Sequence, residues 1–311
     1  MKIAVVGKHN VMNWPETVCH TLRHDHDCRL FITNHFLPHT YLLKREARYK
    51  YRADLLAKQL ADFKPDIILC ISPFLLPNSI LQACRSVTSA LFTGWVADKF
   101  ALDDERTQNN FDAFFCTDTG FLRRAQRFCP SFYLPLCANA EIFCPSPQPA
   151  YLEPFFVGQA NEERIKFLAD CRTPCLIYGK AWDKKLLSQH KVHNRKLSPE
   201  KAALFVQKSL CPFGMAFSSN NVNGLNFRVF ELGAARKVIL TNTSADLELC
   251  YRPKTEALTY DTPEELSEWL AKITRNPSQY TDIAQAGYER TMKEHTYQHR
   301  LKQWMDIIQK L

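Results

Sequence analysis

Two α/β domains, each a parallel sheet wrapped on both faces by helices, are what this sequence predicts, and three observations predict it. Short, nearly continuous apolar runs such as KIAVV, DIILCI and AFFCT alternate with amphipathic stretches, as strands buried on both faces require. The chain has 311 residues, beyond the size at which one core usually stops growing. A proline-dense break near the middle separates two such alternations.

In the first half, strands are expected at 2–6, 29–33, 66–71, 89–95, 113–117 and 131–134, where β-branched and aromatic residues cluster. Helical periodicity occupies 16–24, 41–63, 78–87 and 121–128 between them. Lys64-Pro65-Asp66 marks a helix end leading directly into a strand. The segment 135–154, with CPSPQP at its centre, reads as a stiff linker. Beyond it, strands are expected at 155–157, 175–178, 215–217, 238–241 and 257–260, with a short one at 191–193. Helices are expected at 162–171, 199–209, 227–235 and 263–275, and a helical tail at 277–311. No tandem repeat or low-complexity segment interrupts this order.

Hydrophobic residues at 46% and charged residues at 23% fit an ordinary globular protein rather than a disordered or fibrous one. The opening MKIAVVGKHN holds too short an apolar run for a signal peptide, and no window approaches the roughly 18 apolar residues of a spanning helix. A cytoplasmic location is therefore expected, and with it twelve free cysteines, many of them among apolar neighbours. Cys171 and Cys175 lack a second ligand pair for zinc. His20, His24 and His26 are the better metal candidates, set against the plainer reading of a solvated helix end, and no metal site is assigned. The net charge of +8 favours an anionic partner. Lys44–Arg52 (KREARYKYR) offers a basic patch to an acidic acceptor or the inner face of a membrane, but the wet face of a long helix is the simpler reading of it.

In open α/β sheets, ligands bind beyond the carboxyl ends of the strands, so chemistry is sought there. GKHN places His9 after the first strand, and GWVADKF places Asp98 after the fourth. In the second half, Gly158, Gln159 and Arg164 follow one strand, and Gly179, Lys180 and Trp182 follow the next. Glycine at such turns lets backbone N–H groups approach phosphate. No G-x-G-x-x-G or Walker loop is present. Arg228 and Glu231, three residues apart at a helix start, share one face. They suit a charged, hydroxyl-rich ligand, or else form a surface pair worth about 0–1 kcal/mol. Trp14 and Trp182 read as packing residues.

The run NFRVFELGAA followed by VILTN resembles the R-x-F-E-x-x-A motif of CgeB-like bacterial glycosyltransferases, in the group-1 class with the GT-B fold. The resemblance continues through Glu256, DTPEELSEWL and AGYERTMKEHTYQHR, and covers most of 154–311. A fainter likeness links Arg228-Val229-Phe230-Glu231 to the R-V-W-E run of phage DNA β-glucosyltransferases. The resemblance implies a GT-B enzyme with an acceptor-binding Rossmann-like domain at 1–134, a linker at 135–154 and a nucleotide-sugar domain at 155–292. A C-terminal helix at 293–311 would pack back on the first domain.

That resemblance also implies roles. Glu231 would accept hydrogen bonds from the ribose of a nucleotide-sugar, a UDP-sugar first of all. Arg228 would neutralise the diphosphate, with Asn226, Arg164, Lys180 and the glycine loops around it. Lys196-Leu197 would present backbone to the base. Asp98 is the first choice of base in an inverting reaction and His9 the second, while a retaining reaction needs neither. The nucleotide-sugar half contains no D-x-D pair, so no metal cofactor is expected. Two departures stand out: Arg236 occupies a glycine position, and Asn223 stands where related enzymes carry a second glutamate. A nucleotide-sugar 2-epimerase and a non-catalytic sugar or nucleotide sensor are the rival readings.

Overall fold

The structure is a computed structural model that describes every residue except 11, 37, 88, 98, 102–103, 110, 148–149, 151 and 217–220, and the side chains of 39 and 108. It divides into two compact units, Met1–Pro135 with Leu301–Leu311, and Leu136–Arg300. The segment expected as a linker thus lies almost wholly in the second unit. Leu152 bridges Ser209 there, and Ala138 bridges Thr296.

The first unit is a six-stranded parallel sheet in the order β2-β1-β3-β4-β5-β6. Its strands are β1 (Lys2–Gly7), β2 (Asp27–Ile32), β3 (Ile67–Ile71), β4 (Leu91–Val96), β5 (Ala113–Cys116) and β6 (Ser131–Tyr133). Every side chain of β3 and β5 is buried, which explains why their sequences do not alternate. The crossovers run through α1 (Trp14–Leu22), α2 (Arg45–Phe63), α3 (Asn78–Arg85) and α4 (Thr119–Ala125). Asp118 caps α4 by accepting from the Gly120 and Phe121 N–H groups. Trp14 is buried edge-on against Trp95. From the C-terminal segment, Trp304 is fully buried beside Phe115.

The helix expected over 41–63 begins only at Arg45, after a 3-10 turn at Pro38–Leu42. Tyr41, Leu42 and Leu43 supply helical-looking apolar spacing, yet all three are exposed, and Tyr41 meets α2 through the Arg48 guanidinium over its ring rather than through a buried face.

The second unit holds two small parallel sheets. One is β7 (Phe155–Val157), β8 (Leu176–Tyr178) and β9 (Lys191–His193); the other is β10 (Leu240–Asn242) and β11 (Leu258–Tyr260). The expected strand at 215–217 is displaced toward the N-terminus, and its residue 217 lies outside the described residues. Phe213 N–H donates to Phe155 O at 3.1 Å, and Gly214 N–H donates to Leu240 O at 2.7 Å. This extended stretch therefore joins the two sheets, and Pro212, which has no N–H, interrupts its ladder. The helices of this unit are α5 (Glu162–Asp170), α6 (Pro199–Lys208), α7 (Phe227–Ala234), α8 (Leu247–Cys250), α9 (Pro263–Arg275) and α10 (Thr281–Glu294), and α11 (Tyr297–Ile308) starts in this unit and ends in the Leu301–Leu311 part of the first. Thr262 and Glu265 form a reciprocal capping box at the start of α9. Among the described residues no helix is long and apolar enough to cross a membrane.

At the end of α7 the chain solves an unusual problem. Arg236 N–H bonds Gly233 O and Lys237 N–H bonds Leu232 O, both at 3.0 Å, a Schellman closure that places Arg236 at φ 52°. The helix end survives the missing glycine, at a cost of about 1–2 kcal/mol for a side chain in the left-handed region. The guanidinium recovers part of this over the Tyr288 ring, 5.7 Å away. Arg236→Gly should stabilise the protein by about 0.5–1 kcal/mol, whereas Arg236→Ala, which keeps the strain and loses the ring contact, should not. Urea midpoints of the two variants against the parent test this; equal destabilisation by both would refute it.

Candidate functional site

Three loops at the carboxyl ends of β7, β8 and the 213–216 segment are laced together by hydrogen bonds. Gly158 N–H donates to Tyr178 O at 3.0 Å, and Trp182 Nε1–H donates to Gly158 O at 3.1 Å. Ala160 N–H takes Lys180 O. A β-carbon at Gly179 would overlap the Gly158 carbonyl, so only glycine lets the two turns approach this closely.

Asn161 caps α5 through the Arg164 N–H at 2.8 Å and thereby aims the Arg164 side chain across these loops. Its Nη1 donates to Gln159 O and its Nη2 to Met215 O, each at 2.8 Å, with the guanidinium over the Phe156 ring. Burial lowers its pKa. Arg164 therefore acts as a clamp on two backbone turns, with only Nε buried and without a protein acceptor. Met215 O accepts a second bond, 3.0 Å, from Asn226 Nδ2.

Asn226 opens α7 without capping it by its side chain, and its Oδ1 is buried without a donor. One turn further, Arg228 Nη1 lies 2.7 Å from Glu231 Oε2, with only 11% and 5% of the two side chains exposed. The pair is in Coulombic contact but not in hydrogen-bond geometry: Arg228 Nε and Nη1 and Glu231 Oε2 all lack a directed partner. Burial lowers the Arg228 pKa and raises that of Glu231, each shift opposed by the partner's charge. The Phe143 ring lies 5.5 Å from the guanidinium. A helix start thus offers two cationic donors, a carboxylate oxygen and an amide oxygen, all desolvated and unsatisfied by protein. Such groups cost about 1–3 kcal/mol each, which a polar ligand can offset.

Behind α7 the packing is dense. A β-carbon on Gly233 would overlap Thr291 Oγ1, so α10 approaches α7 at this glycine, while one on Gly287 would sit 2.6 Å from Glu256 O, so α10 also lies close against the chain ahead of β11. Phe230 packs on Tyr251 and His295. His295 donates from Nε2 to Cys250 O at 2.7 Å and accepts at Nδ1 from Arg300 Nη2. This tautomer is neutral, and burial followed by the Arg300 charge pushes its pKa down to about 3.

The structure brings Gly158, Gln159, Gly179, Arg164 and Asn226 into one chain of contacts, with Arg228 and Glu231 on the helix that Asn226 begins. Lys180 joins through its carbonyl, its side chain being exposed. Lys196 is exposed and Leu197 buried, in the turn after β9, with no described bond to this cluster. In the first unit, His9 is exposed and holds Glu16 through Nδ1. Asp98 lies outside the described residues. Sequence reasoning missed the Met215 carbonyl and Phe143, since neither a backbone oxygen nor a buried ring leaves a residue-type signal. It also missed Asn242, whose Oδ1 accepts from Ala216 N–H; a polar residue closing a buried strand was the available clue. Among the described residues, no three His, Cys, Asp or Glu side chains converge as a metal site would require, and His20 and His24 simply meet edge-to-face.

The unfolded chain takes up a proton at residue 295 near pH 6.5, whereas the folded protein does so only near 3. Between those values the unfolded state holds the extra proton, so stability should fall as pH drops, by up to about 1.4 kcal/mol per unit. His295→Gln should be less stable than the parent at pH 7 yet lose less on acidification. Denaturation midpoints from pH 4 to 8 measure this, and parallel slopes for the two proteins would exclude it.

Comparison with known proteins extends the geometry. Residues 155–306 match the glycosyl transferase-like family. None of the curated proteins matches the chain. Among solved structures it is similar to a glycosyltransferase from Rickettsia africae (TM-score 0.73, 11% identity, 99% of this chain and 98% of that one). It is also similar to a sucrose-phosphate synthase from Thermosynechococcus elongatus (0.70, 12%, 100% and 98%). Anabaena HepE in complex with UDP-glucose aligns as well (0.65, 10%, 100% and 100%). The chain thus has the GT-B fold that these solved structures share, and the match to the glycosyl transferase-like family lies in its residues 155–306.

Proposed function

We propose that the protein is a glycosyltransferase that moves a sugar from a nucleoside-diphosphate sugar, a UDP-sugar in the first instance, to an acceptor hydroxyl. The observation that carries this reading is the set of buried, unpartnered polar atoms at the start of α7. They have the chemistry of the donor. Glu231 Oε2 accepts from vicinal ribose hydroxyls, while Arg228 Nε and Nη1 face the diphosphate and offset the charge that develops as it leaves. The glycine turns at 158 and 179 bring backbone close to the donor, and Arg164 positions those turns. Lys196 and Leu197 offer backbone to the base. Because Arg228 meets the diphosphate from a low-dielectric site, this reading needs no metal ion. The solved UDP-glucose complex of HepE supports the choice of donor. The finer likeness to CgeB-like enzymes rests on the residues alone, as does a cytoplasmic location.

Glu231→Ala should weaken UDP binding by about 1.5–3 kcal/mol, roughly ten- to a hundred-fold, because a charged acceptor of ribose hydrogen bonds is lost. Calorimetry on the folded variant reads this directly; unchanged affinity removes Glu231 from the site.

On the acceptor side, Asp98 is the proposed base and His9 the second choice, His9 already holding Glu16. General-base removal of the acceptor proton contributes typically 10²–10⁴-fold. Asp98→Asn should therefore lower turnover by that order with UDP affinity nearly intact, and the product should be inverted at the anomeric carbon by NMR. A retained configuration, or turnover within a few-fold of the parent, sinks the assignment.

A further inference from the structure

The first unit contains an open groove of about 940 Å³ that the donor chemistry does not use. It lies beside Lys8, which follows β1, and Leu75 and Leu76, which follow β3. In the order β2-β1-β3-β4-β5-β6, strands β1 and β3 flank the point where the winding reverses, the place where open α/β sheets bind ligands.

Its walls are unlike the rest of the surface. Lys8, Arg45, Lys50 and Arg106 line it against Glu46 and Asp54. Arg106 is committed to Asp104 and to the Phe74 carbonyl. Lys8 gives one hydrogen bond to Leu75 O and lies 5.8 Å from the Tyr49 ring, which leaves two of its three protons free. Arg45 and Lys50 are exposed. Both α2 and α3 begin at the groove, after Lys44 and Pro77, without a side-chain cap, so two positive helix ends face it together with the cations. Burial, then the nearby Arg45 and Arg106, lower the pKa of Lys8, a crowding of positive charge that an anion relieves. The remaining wall is apolar: Leu75 is 47% exposed, and Ala53, Leu76 and Pro77 continue it. Tyr41, Leu42 and Leu43, just ahead of α2, are exposed as well.

We propose that this groove binds the phosphate group of an amphiphilic acceptor, with Lys8, Arg45 and the starts of α2 and α3 holding the anion and Leu75 and Pro77 contacting the adjoining apolar chain. The role as acceptor rests on the glycosyltransferase reading; the binding site does not.

Hexyl phosphate titrated into the full chain by calorimetry tests it, with inorganic phosphate and 1-hexanol as comparisons and UDP titrated in parallel. Hexyl phosphate should bind saturably, at least ten-fold more tightly than inorganic phosphate, with 1-hexanol not detectable. Lys8→Met and Arg45→Gln should each weaken it five-fold or more, while Lys58→Gln, on α2 but outside the groove, leaves it unchanged. Among the described residues the Arg45 side chain makes no hydrogen bond or ion pair, so its variant stays informative if Lys8→Met destabilises the protein. No saturable binding, or an equal loss with Lys58→Gln, overturns the site. So does binding to anionic lipid vesicles that hexyl phosphate does not displace, since that would mark a membrane-facing patch. UDP binding separates the two readings: its loss with hexyl phosphate retained defeats the donor assignment alone, and the converse defeats the groove alone.

Discussion

Burying an arginine beside a glutamate at a helix start is expensive. Each ion loses several kcal/mol of hydration, and their mutual attraction repays this only when hydrogen bonds complete the pair. Arg228 and Glu231 touch without completing it. The second unit therefore has to hold α7 in place against a local cost, and much of its packing can be understood in that light. Gly233 lets α10 pack directly against α7 at Thr291. Phe230 locks into the Tyr251 and His295 rings on the side away from the pair. The Schellman closure at Arg236 fixes the far end and feeds the chain toward β10. A site that is unsatisfied by design needs neighbours that are fully satisfied.

Arg164 shows the complementary use of the same residue type. Its guanidinium donates to two carbonyls, Gln159 O and Met215 O, and so converts charge into geometry. A sequence alone does not distinguish these two arginines: both follow strand-rich segments, both sit near a helix start, and both suit an anion. What separates them is whether acceptors of the fold itself reach the guanidinium. That depends on the path of the 213–216 segment, which the backbone bonds of Phe213 to Phe155 O and of Gly214 to Leu240 O set rather than side-chain character.

The same distinction runs through the rest of the chain. Elements whose identity depends on burial were legible, because buried parallel strands must be apolar throughout; IILCI and AFFC could scarcely be anything else. Helices with local stop and start chemistry were legible too, as at Thr262-Pro263 with Glu265. Boundaries resisted where apolar residues are spent on the surface, as at Tyr41–Leu43, since periodicity carries no information about which side is wet. Of the site, the pair at 228 and 231 and the glycine turns were readable from spacing. The carbonyl of Met215 and the ring of Phe143 were not, being consequences of chain path.

Asn223 gives the electrostatics a direction. Related enzymes carry a carboxylate at the corresponding place, and here a neutral amide replaces it while its backbone carbonyl receives Ser244 Oγ–H and the Asp246 N–H. The loop ahead of α7 is thus anchored by its backbone, without contributing a negative charge. Beside Arg228 this leaves Glu231 as the balancing charge within α7, and burial already biases that carboxyl toward its neutral form. On the proposed reading, a diphosphate entering such a site would meet a weaker negative field than it would beside two carboxylates, and its charge would offset the cost of burying the Arg228 cation. Ligand and protein would then supply to each other the hydrogen bonds that each lacks alone. That mutual completion would favour the diphosphate over a neutral sugar of similar size, because a neutral ligand could satisfy the carboxylate and the amide but would leave Arg228 Nε and Nη1 without a hydrogen-bonded anion.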